Sequence, residues 1–337
     1  MKRYGHLTAR IATWQNVSAA AQKAAAGSSS SADVTGFQLT FDANLHRIVE
    51  ELLTGVWKPL PYLRFMVRDP KQRTINAAPF YDRVVHHALM NVAGRCFENG
   101  AVDFSFACRT GRGNRAAVKR AAKCTHRYRY FLKLDVRRYF DSIPHDILIR
   151  LFHRRFKDRD FLMLMERIVR SFQVNDGVGL PIGTLTSQYF ANFYLDGLDH
   201  WVMETLRCPA YARYMDDIVL WSDDETMLET SLCQITAWLK TERRLVLKGE
   251  PHPVRCHDGL SFLGYRIVPN AILLSRPSRK RFSARLRQYE RENGTGRMTD
   301  CELQRRVDAL LSFTDVAHCC QWRGKLISDY DNQFGIA

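Results

Sequence analysis

Three acids in this chain are of a type and placing that could do chemistry. Asp135 closes the run LKLDV, and Asp216 and Asp217 stand side by side in RYMDDIV; the flanking residues are largely apolar. Adjacent carboxylates repel, and holding them in a half-buried turn is costly unless a cation neutralises them. Mg2+ suits such donors, because it binds carboxylate oxygen, keeps waters and completes its shell from substrate phosphates. Two such ions about 4 Å apart can activate an attacking hydroxyl and stabilise a leaving oxygen, the chemistry of phosphoryl transfer. Aspartate is also a favoured turn residue, so the acidic pair in isolation fits a solvated hairpin as well. The separate Asp135 and the basic surroundings weigh toward the metal.

The chain that must position these acids has 337 residues and a hydrophobic fraction of 46%, that of a globular protein with room for two or three structural units. Lysine and arginine number 50 against 35 aspartates and glutamates, a net charge of +15. Such an excess is most often a field for polyanions, nucleic acid above all, although a basic surface can serve solubility alone. Nine cysteines, scattered and never spaced C-x-x-C, suggest neither a disulfide framework nor a zinc ribbon and fit a reducing cytoplasm. The cluster HPVRCH (252–257) lacks a paired metal motif and reads as surface. No run approaches about 20 apolar residues and no hydrophobic core follows MKRYGHLTAR, so neither a membrane span nor an export signal is expected.

Periodicity predicts an alanine-rich helix over 11–26, then a mobile loop in GSSSSADVTG, then a helix in FDANLHRIVEELLTG stopped by Gly55. PYLRFMVRDPKQRTINAAP changes to strand period on either side of DPKQ, giving a basic hairpin with Arg68, Lys71 and Arg73. Helical spacing returns in FYDRVVHHALMNVAGRCF and AAVKRAAKC; YRYFLKLDV is a strand ending at Asp135. Helices are expected over 146–156, 160–171 and 187–206, two strands in YARYMDDIVLWS, and a strand pair with a Pro-Asn turn in LSFLGYRIVPNAILLS. From Arg276 on the chain is basic and helical, with Phe282, Leu286 and Tyr289 on one face. The order of elements lacks a regular βα rhythm, so the fold class expected is α+β with an antiparallel sheet.

At this point the chain resembles the reverse transcriptases. YMDD between two apolar strands is their signature, and FLKLDVRRYFDSI looks like the motif supplying their other catalytic aspartate. RDPKQRTI resembles the fingers hairpin, FSFACRTGRG the segment after it, LPIGTLTSQ the loop before the palm helix, and LSFLGYRI the primer-grip hairpin. Six stretches in the family's order, over about residues 61–269, are far more specific than any one motif. The resemblance implies a right-hand polymerase fold: an N-terminal helical extension (1–60), fingers (61–130), palm (131–275, with 172–190 contributing to the nucleotide pocket) and a short helical basic thumb (276–337). It implies RNA-directed DNA polymerisation with two Mg2+ ions, deoxynucleotides, a template RNA and the RNA/cDNA duplex.

Carried over residue by residue, Asp135, Asp216 and Asp217 are the catalytic metal-binding triad, Asp135 and Asp216 bridging the ions. Arg73 packs on the incoming base and touches its triphosphate, with Lys71 or Arg68 reaching the outer phosphates. Arg138 and Tyr139 offer backbone N–H groups, and Phe140 is the aromatic gate against a 2′-hydroxyl. Ile182, Gly183 and Gln188 line the nucleotide, Lys248 protonates pyrophosphate, and Met215 lies under the primer end. Phe262, Leu263, Gly264 and Tyr265 form the primer grip; Arg109, Arg279, Lys280, Arg281 and Arg285 contact nucleic acid, tracking its backbone without reading sequence. Each also has a plainer reading, as turn, core or solvated surface residue.

Most reverse transcriptases carry Q-G-x-x-x-S-P where this chain reads I-G-x-x-x-S-Q (Ile182, Gly183, Ser187, Gln188). That variant resembles the enzymes of diversity-generating retroelements of bacteria and phages, relatives of group II intron-type enzymes. These copy a template-repeat RNA into adenine-mutagenised cDNA beside a small basic, ring-forming accessory variability protein, in the cytoplasm and without a membrane partner. Isoleucine offers no donor or acceptor to hold a correct pair, so lowered fidelity is expected. The alternatives are a CRISPR-associated, abortive-infection or retron-like reverse transcriptase, or an inactive nucleic-acid-binding scaffold. NAxxH and a VTG beyond the primer grip, which a retron enzyme should carry, are absent.

Overall fold

The computed structural model describes residues 3–26, 31–68 and 72–324. In chain order the elements are α1 (Thr8–Ile11), α2 (Trp14–Ala25), α3 (Ala32–Leu39), α4 (Phe41–Thr54), β1 (Leu63–Arg68), β2 (Gln72–Ala77), α5 (Phe80–Glu98) and α6 (Asn114–Arg127). Then come β3 (Tyr130–Asp135), α7 (His145–Arg155), α8 (Arg159–Arg170), α9 (Leu185–Tyr194), α10 (Asp196–Glu204), β4 (Ala210–Tyr214), β5 (Asp217–Ser222) and α11 (Glu225–Arg243). The chain closes with β6 (Pro253–Arg255), β7 (Leu260–Phe262), β8 (Tyr265–Val268), β9 (Ala271–Leu274), α12 (Arg276–Gly294) and α13 (Asp300–Ser312). The strands form a β1-β2 ribbon, a four-stranded sheet ordered β4-β5-β3-β6 and a β7-β8-β9 meander, antiparallel throughout. The α+β class with antiparallel sheets is thus the observed one.

Two compact units divide the chain. The first comprises Met1–Asp103, Val136–Leu206 and Gln234–Lys248. Its core includes an aromatic cluster in which Phe97 of α5 meets Phe152, Phe156, Phe190 and Phe193 at centroid distances of 5.2 to 6.1 Å. Asp158 joins two helix starts there, accepting Leu7 N–H at 2.6 Å and Thr8 N–H at 3.0 Å at α1 and Phe161 N–H at 3.2 Å at α8. The second unit comprises Phe104–Asp135, Arg207–Cys233 and Gly249–Ala337. Here one face of the four-stranded sheet packs on α6, burying Phe131, Val219 and Trp221 with Ala117, Val118 and Ala121. Trp221 Nε1–H donates to Thr125 Oγ1 at 3.2 Å, so the largest core ring leaves no polar atom unmatched.

Some expectations need correction. The helix expected over 11–26 is present as α2 but starts at Trp14, because Thr13 takes extended geometry and caps it by accepting Asn16 N–H at 3.3 Å; Ile11 instead ends the short α1. Residues 27–30 of the expected mobile loop lie outside the described residues, but 32–36 are helical. Ser31 caps α3 through Val34 N–H at 3.4 Å, and Asp33 accepts Phe80 N–H at 2.6 Å. The single helix expected over 187–206 breaks at Leu195, where α10 begins with Asp196 and Asp199 in its first turn. The C-terminal strand pair is a three-stranded meander, its first turn being Leu263-Gly264.

Candidate active site

The acids fall together in the second unit. Asp135 ends β3 and Asp217 opens β5, and the two are direct partners in the antiparallel ladder. Opposed residues of such a pair have Cβ atoms about 4.5–5.5 Å apart. Tyr214 also pairs with Asp217, which leaves Met215 and Asp216 as a two-residue hairpin loop. Met215 has φ +55°. Positive φ at the first loop residue is the type II′ pattern, normally given to glycine, and costs a side-chain-bearing residue about 1–2 kcal/mol. Asp135, Asp216 and Asp217 are all half-buried.

Two cations that sequence reasoning missed serve this hairpin. Arg213 is buried; its Nη1 donates to Met215 O at 3.1 Å and its Nη2 to Ser105 Oγ at 3.1 Å. Ser105 is held in turn, because Phe106 N–H donates to Arg213 O at 3.0 Å and Arg213 N–H to Phe104 O at 2.9 Å. Lys133 Nζ lies 3.1 Å from Asp217 Oδ1 and donates to Ser261 O of β7 at 3.0 Å. Lys133 was detectable: two residues before Asp135 in a strand, it shares that residue's face.

Among the described residues no three His, Cys, Asp or Glu side chains are gathered into a metal cage. A hard ion that draws most ligands from water and substrate phosphate needs only one or two carboxylates, so these oxygen donors fit Mg2+-type chemistry and not a soft metal.

The other candidates of the second unit sit as follows. Leu263 (φ +50°) and Gly264 (φ +88°) form the β7-β8 turn, both left-handed as in a type I′ hairpin. Phe262 and Tyr265 point into the core, and burial pushes the Tyr265 phenol up to about 12 while its O–H donates to Phe313 O. The expected grip is therefore a two-residue tip on buried anchors. Arg279 Nε–H donates to Leu274 O at 3.1 Å and Arg281 Nη2 to Ser278 Oγ at 3.2 Å; Arg279, Lys280 and Arg285 are all exposed. Arg281, Arg285, Tyr289 and Arg306 line a cleft of about 330 Å³ along α12 and α13. Arg109 donates to Ser105 O at 2.8 Å, close to the Arg213 network.

The nucleotide-pocket candidates belong to the first unit. Asn76 N–H of β2 donates to Ile182 O at 2.8 Å. Gly183 has φ +117°, and a Cβ there would stand 2.6 Å from Ile75 Cγ2, so only glycine lets loop and ribbon touch. Arg73, two residues before Ile75, shares that ribbon face and is exposed. Phe140 is half-buried, and its carbonyl accepts Leu180 N–H at 2.8 Å, so this fixed stretch also meets the loop. Ile182 is half-buried and Gln188 exposed. Thr184, by contrast, caps α9 by accepting Ser187 N–H at 3.3 Å, and its hydroxyl donates to Ser187 Oγ at 2.7 Å. The Tyr139 ring is buried with its hydroxyl on Ala191 O, leaving only its backbone for a ligand. Arg138 (φ +47°) pairs with Asp141 at 3.0 Å. Lys248 is exposed and follows Leu247, which bridges Val136. Lys71 lies outside the described residues.

An antiparallel sheet that closes on opposed aspartates beside a strained acidic hairpin, with basic helices following, is an α+β arrangement suited to metal-assisted phosphoryl transfer on a polyanion. The profile of the family described as reverse transcriptase (RNA-dependent DNA polymerase) matches residues 68–267, and the chain belongs to that family. It is an RNA-directed DNA polymerase, of a family that uses divalent metal ions and copies RNA. Protein YkfC of Escherichia coli (strain K12) is 23% identical over 290 residues, 69% of this chain and 74% of YkfC. The group II intron-encoded protein LtrA of Lactococcus lactis subsp. cremoris is 24% identical over 172 residues, 48% of this chain but only 29% of LtrA. Among solved structures, apo telomerase from Candida tropicalis superposes with a TM-score of 0.50 at 10% identity over 69% of this chain and 53% of that one, a likeness of fold. No helix among the described residues is long and apolar enough to cross a membrane.

Proposed function

We propose that this enzyme is the error-prone reverse transcriptase of a diversity-generating retroelement, copying a template-repeat RNA into adenine-mutagenised cDNA. The observation that carries the reading is Ile182, an apolar side chain in a loop fixed through Asn76 to the ribbon bearing Arg73. A glutamine there could hydrogen-bond the nucleotide and favour correct geometry; isoleucine removes that discrimination. The test is fidelity on a defined RNA: Ile182→Gln is expected to lower misincorporation opposite template adenine. An unchanged error spectrum would refute the reading of this residue.

In this mechanism Asp135 and Asp216 hold the metal and Asp217 supports them. These carboxylates would hold divalent ions, two Mg2+ in our reading, which when bound would supply charge neutralisation at the transferring phosphate and favour ionisation of the primer 3′-hydroxyl. Arg73 orients the triphosphate, with Lys71 and the Arg138 and Tyr139 amides beside it; Phe140 excludes a 2′-hydroxyl, and Lys248 gives a proton to pyrophosphate. Leu263 and Gly264 touch the primer strand, while Lys280 and Arg285 track the duplex backbone. Residues 1–60 act as an extension, 61–130 as fingers, 131–275 as palm and 276–337 as thumb. The implied setting is a bacterial or phage-infected cytoplasm with a small basic accessory protein. Replacing both acids, Asp216→Ala with Asp217→Ala, should abolish primer extension; extension equal to wild type would favour a nucleic-acid scaffold. The group II intron-type relatives favour a second reading, a faithful prokaryotic reverse transcriptase, which predicts few errors at adenine.

A further inference from the structure

Lys133 and Asp135 are two apart on β3 and share a face, and Asp217 opposes Asp135. Lys133 pairs with Val219, so Asp217 is its diagonal neighbour across the ladder, within reach of a long side chain. The ammonium takes up that reach: 3.1 Å to Asp217 Oδ1 at one end, with a second bond of 3.0 Å to Ser261 O. Both partners keep about a third of their side-chain surface, 33% and 30%, so the pair is neither sealed in the core nor free in solvent. Two anchors from two different sheets of one unit fix the charge beside the acidic hairpin, where a loose surface lysine would wander.

We propose that Lys133 is a positioning residue that serves as resident counter-ion to Asp217, keeping the carboxylates from loading a divalent ion until a nucleotide arrives. An ammonium on a carboxylate competes with a hard cation for the same oxygen. A triphosphate brings enough negative charge to draw the ion in and the lysine off, and a single ammonium on a flexible stem leaves more readily than a bidentate guanidinium would. The ion is then taken up with substrate rather than ahead of it. This inference rests on the metal assignment made above.

The experiment is Mn2+ binding, read from the loss of the free-ion electron paramagnetic resonance signal, on the full chain without primer, template or nucleotide. Lys133→Met should bind Mn2+ about two- to fivefold more tightly than wild type, the range an exposed ion pair can supply. Lys133→Arg, which keeps the charge, should bind as weakly as wild type. Adding deoxynucleotide and primer–template should shrink the gap between Lys133→Met and wild type. Where Lys133→Met fails to fold for want of the Ser261 bond, Lys133→Gln keeps a donor for that carbonyl and carries the same expectation. Equal or weaker binding by the neutral variants would overturn the proposal. Asp135→Asn combined with Asp216→Asn should lose the Mn2+ altogether. If that variant binds like wild type, the carboxylate assignment fails and the inference with it; if only the Lys133 variants fail to shift, the inference alone is wrong.

Discussion

Arg213 should matter to catalysis although its guanidinium is buried behind the hairpin. Arg213→Met keeps much of the volume and removes donors to Met215 O and Ser105 Oγ, which lie 3.1 Å away in each case. A bond from a charged donor is worth about 1.5–3 kcal/mol, so the two together come to about 3–6 kcal/mol. Relief of a buried charge offsets part of that, leaving a net loss of about 2–4 kcal/mol in urea unfolding. The sharper consequence is kinetic. Met215 holds φ +55° against its own preference, and without the clamp the turn is free to relax and carry Asp216 with it. A misplacement of about 1 Å can cost about 100-fold in rate. Primer extension at saturating nucleotide should therefore show kcat falling about 100-fold with a smaller change in KM, and Arg213→Lys, able to reach only one of the two acceptors at a time, should fall in between. A variant that unfolds more easily yet keeps kcat within about twofold would refute the reasoning, since the guanidinium would then serve packing alone.

Two further predictions follow from the first unit. Gly183→Ala should lose about 2–4 kcal/mol of stability and weaken nucleotide binding, because its Cβ meets Ile75 Cγ2 at 2.6 Å and φ is +117°. Adding Ile75→Ala should return the steric part, and the check is a double-mutant cycle by chemical denaturation. Asp82 is buried, and burial lifts its carboxyl from 3.8 to about 6 while Leu60 N–H donates to it at 2.7 Å. A raised folded-state pKa means the fold favours the protonated acid, so this group's contribution is present below pH ~4 and is lost as pH rises through about 6, up to about 3 kcal/mol. Asp82→Asn should remove that slope, and the gap in urea midpoint between variant and wild type should widen from pH 4 to pH 7.

What the sequence disclosed was whatever local pattern controls. Asp135 at a strand end and the acidic pair at a turn follow from apolar alternation broken by acids, and the ladder pairs them as that pattern implies. The α3 segment misleads because serine and glycine are read as loop formers, whereas Ser31 is a cap and Asp33 is tied to Phe80, far along the chain. Helix α11 was missed although Leu228, Ile235 and Leu239 bury at helical spacing, the signal that could have found it. Arg213 in a strand of buried residues gives no local hint of its partners, since Ser105 is distant in sequence. Gly183 likewise shows its need for a missing side chain only when Ile75 is brought against it.

The turn at Leu263-Gly264 has mechanical consequences. Gly264 O accepts Ser275 N–H at 3.0 Å and Ser278 Oγ–H at 2.7 Å, a Cβ on Gly264 would sit 3.1 Å from Phe313 Cζ, and the Tyr265 and Phe313 rings lie 4.9 Å apart. The tip therefore has no hinge of its own: it is the short arm of a lever whose fulcrum is the start of α12 and the end of α13. A shift of those helices is passed to the tip through these bonds, and Ser278→Ala, which removes the hydroxyl donor to Gly264 O, should loosen the tip.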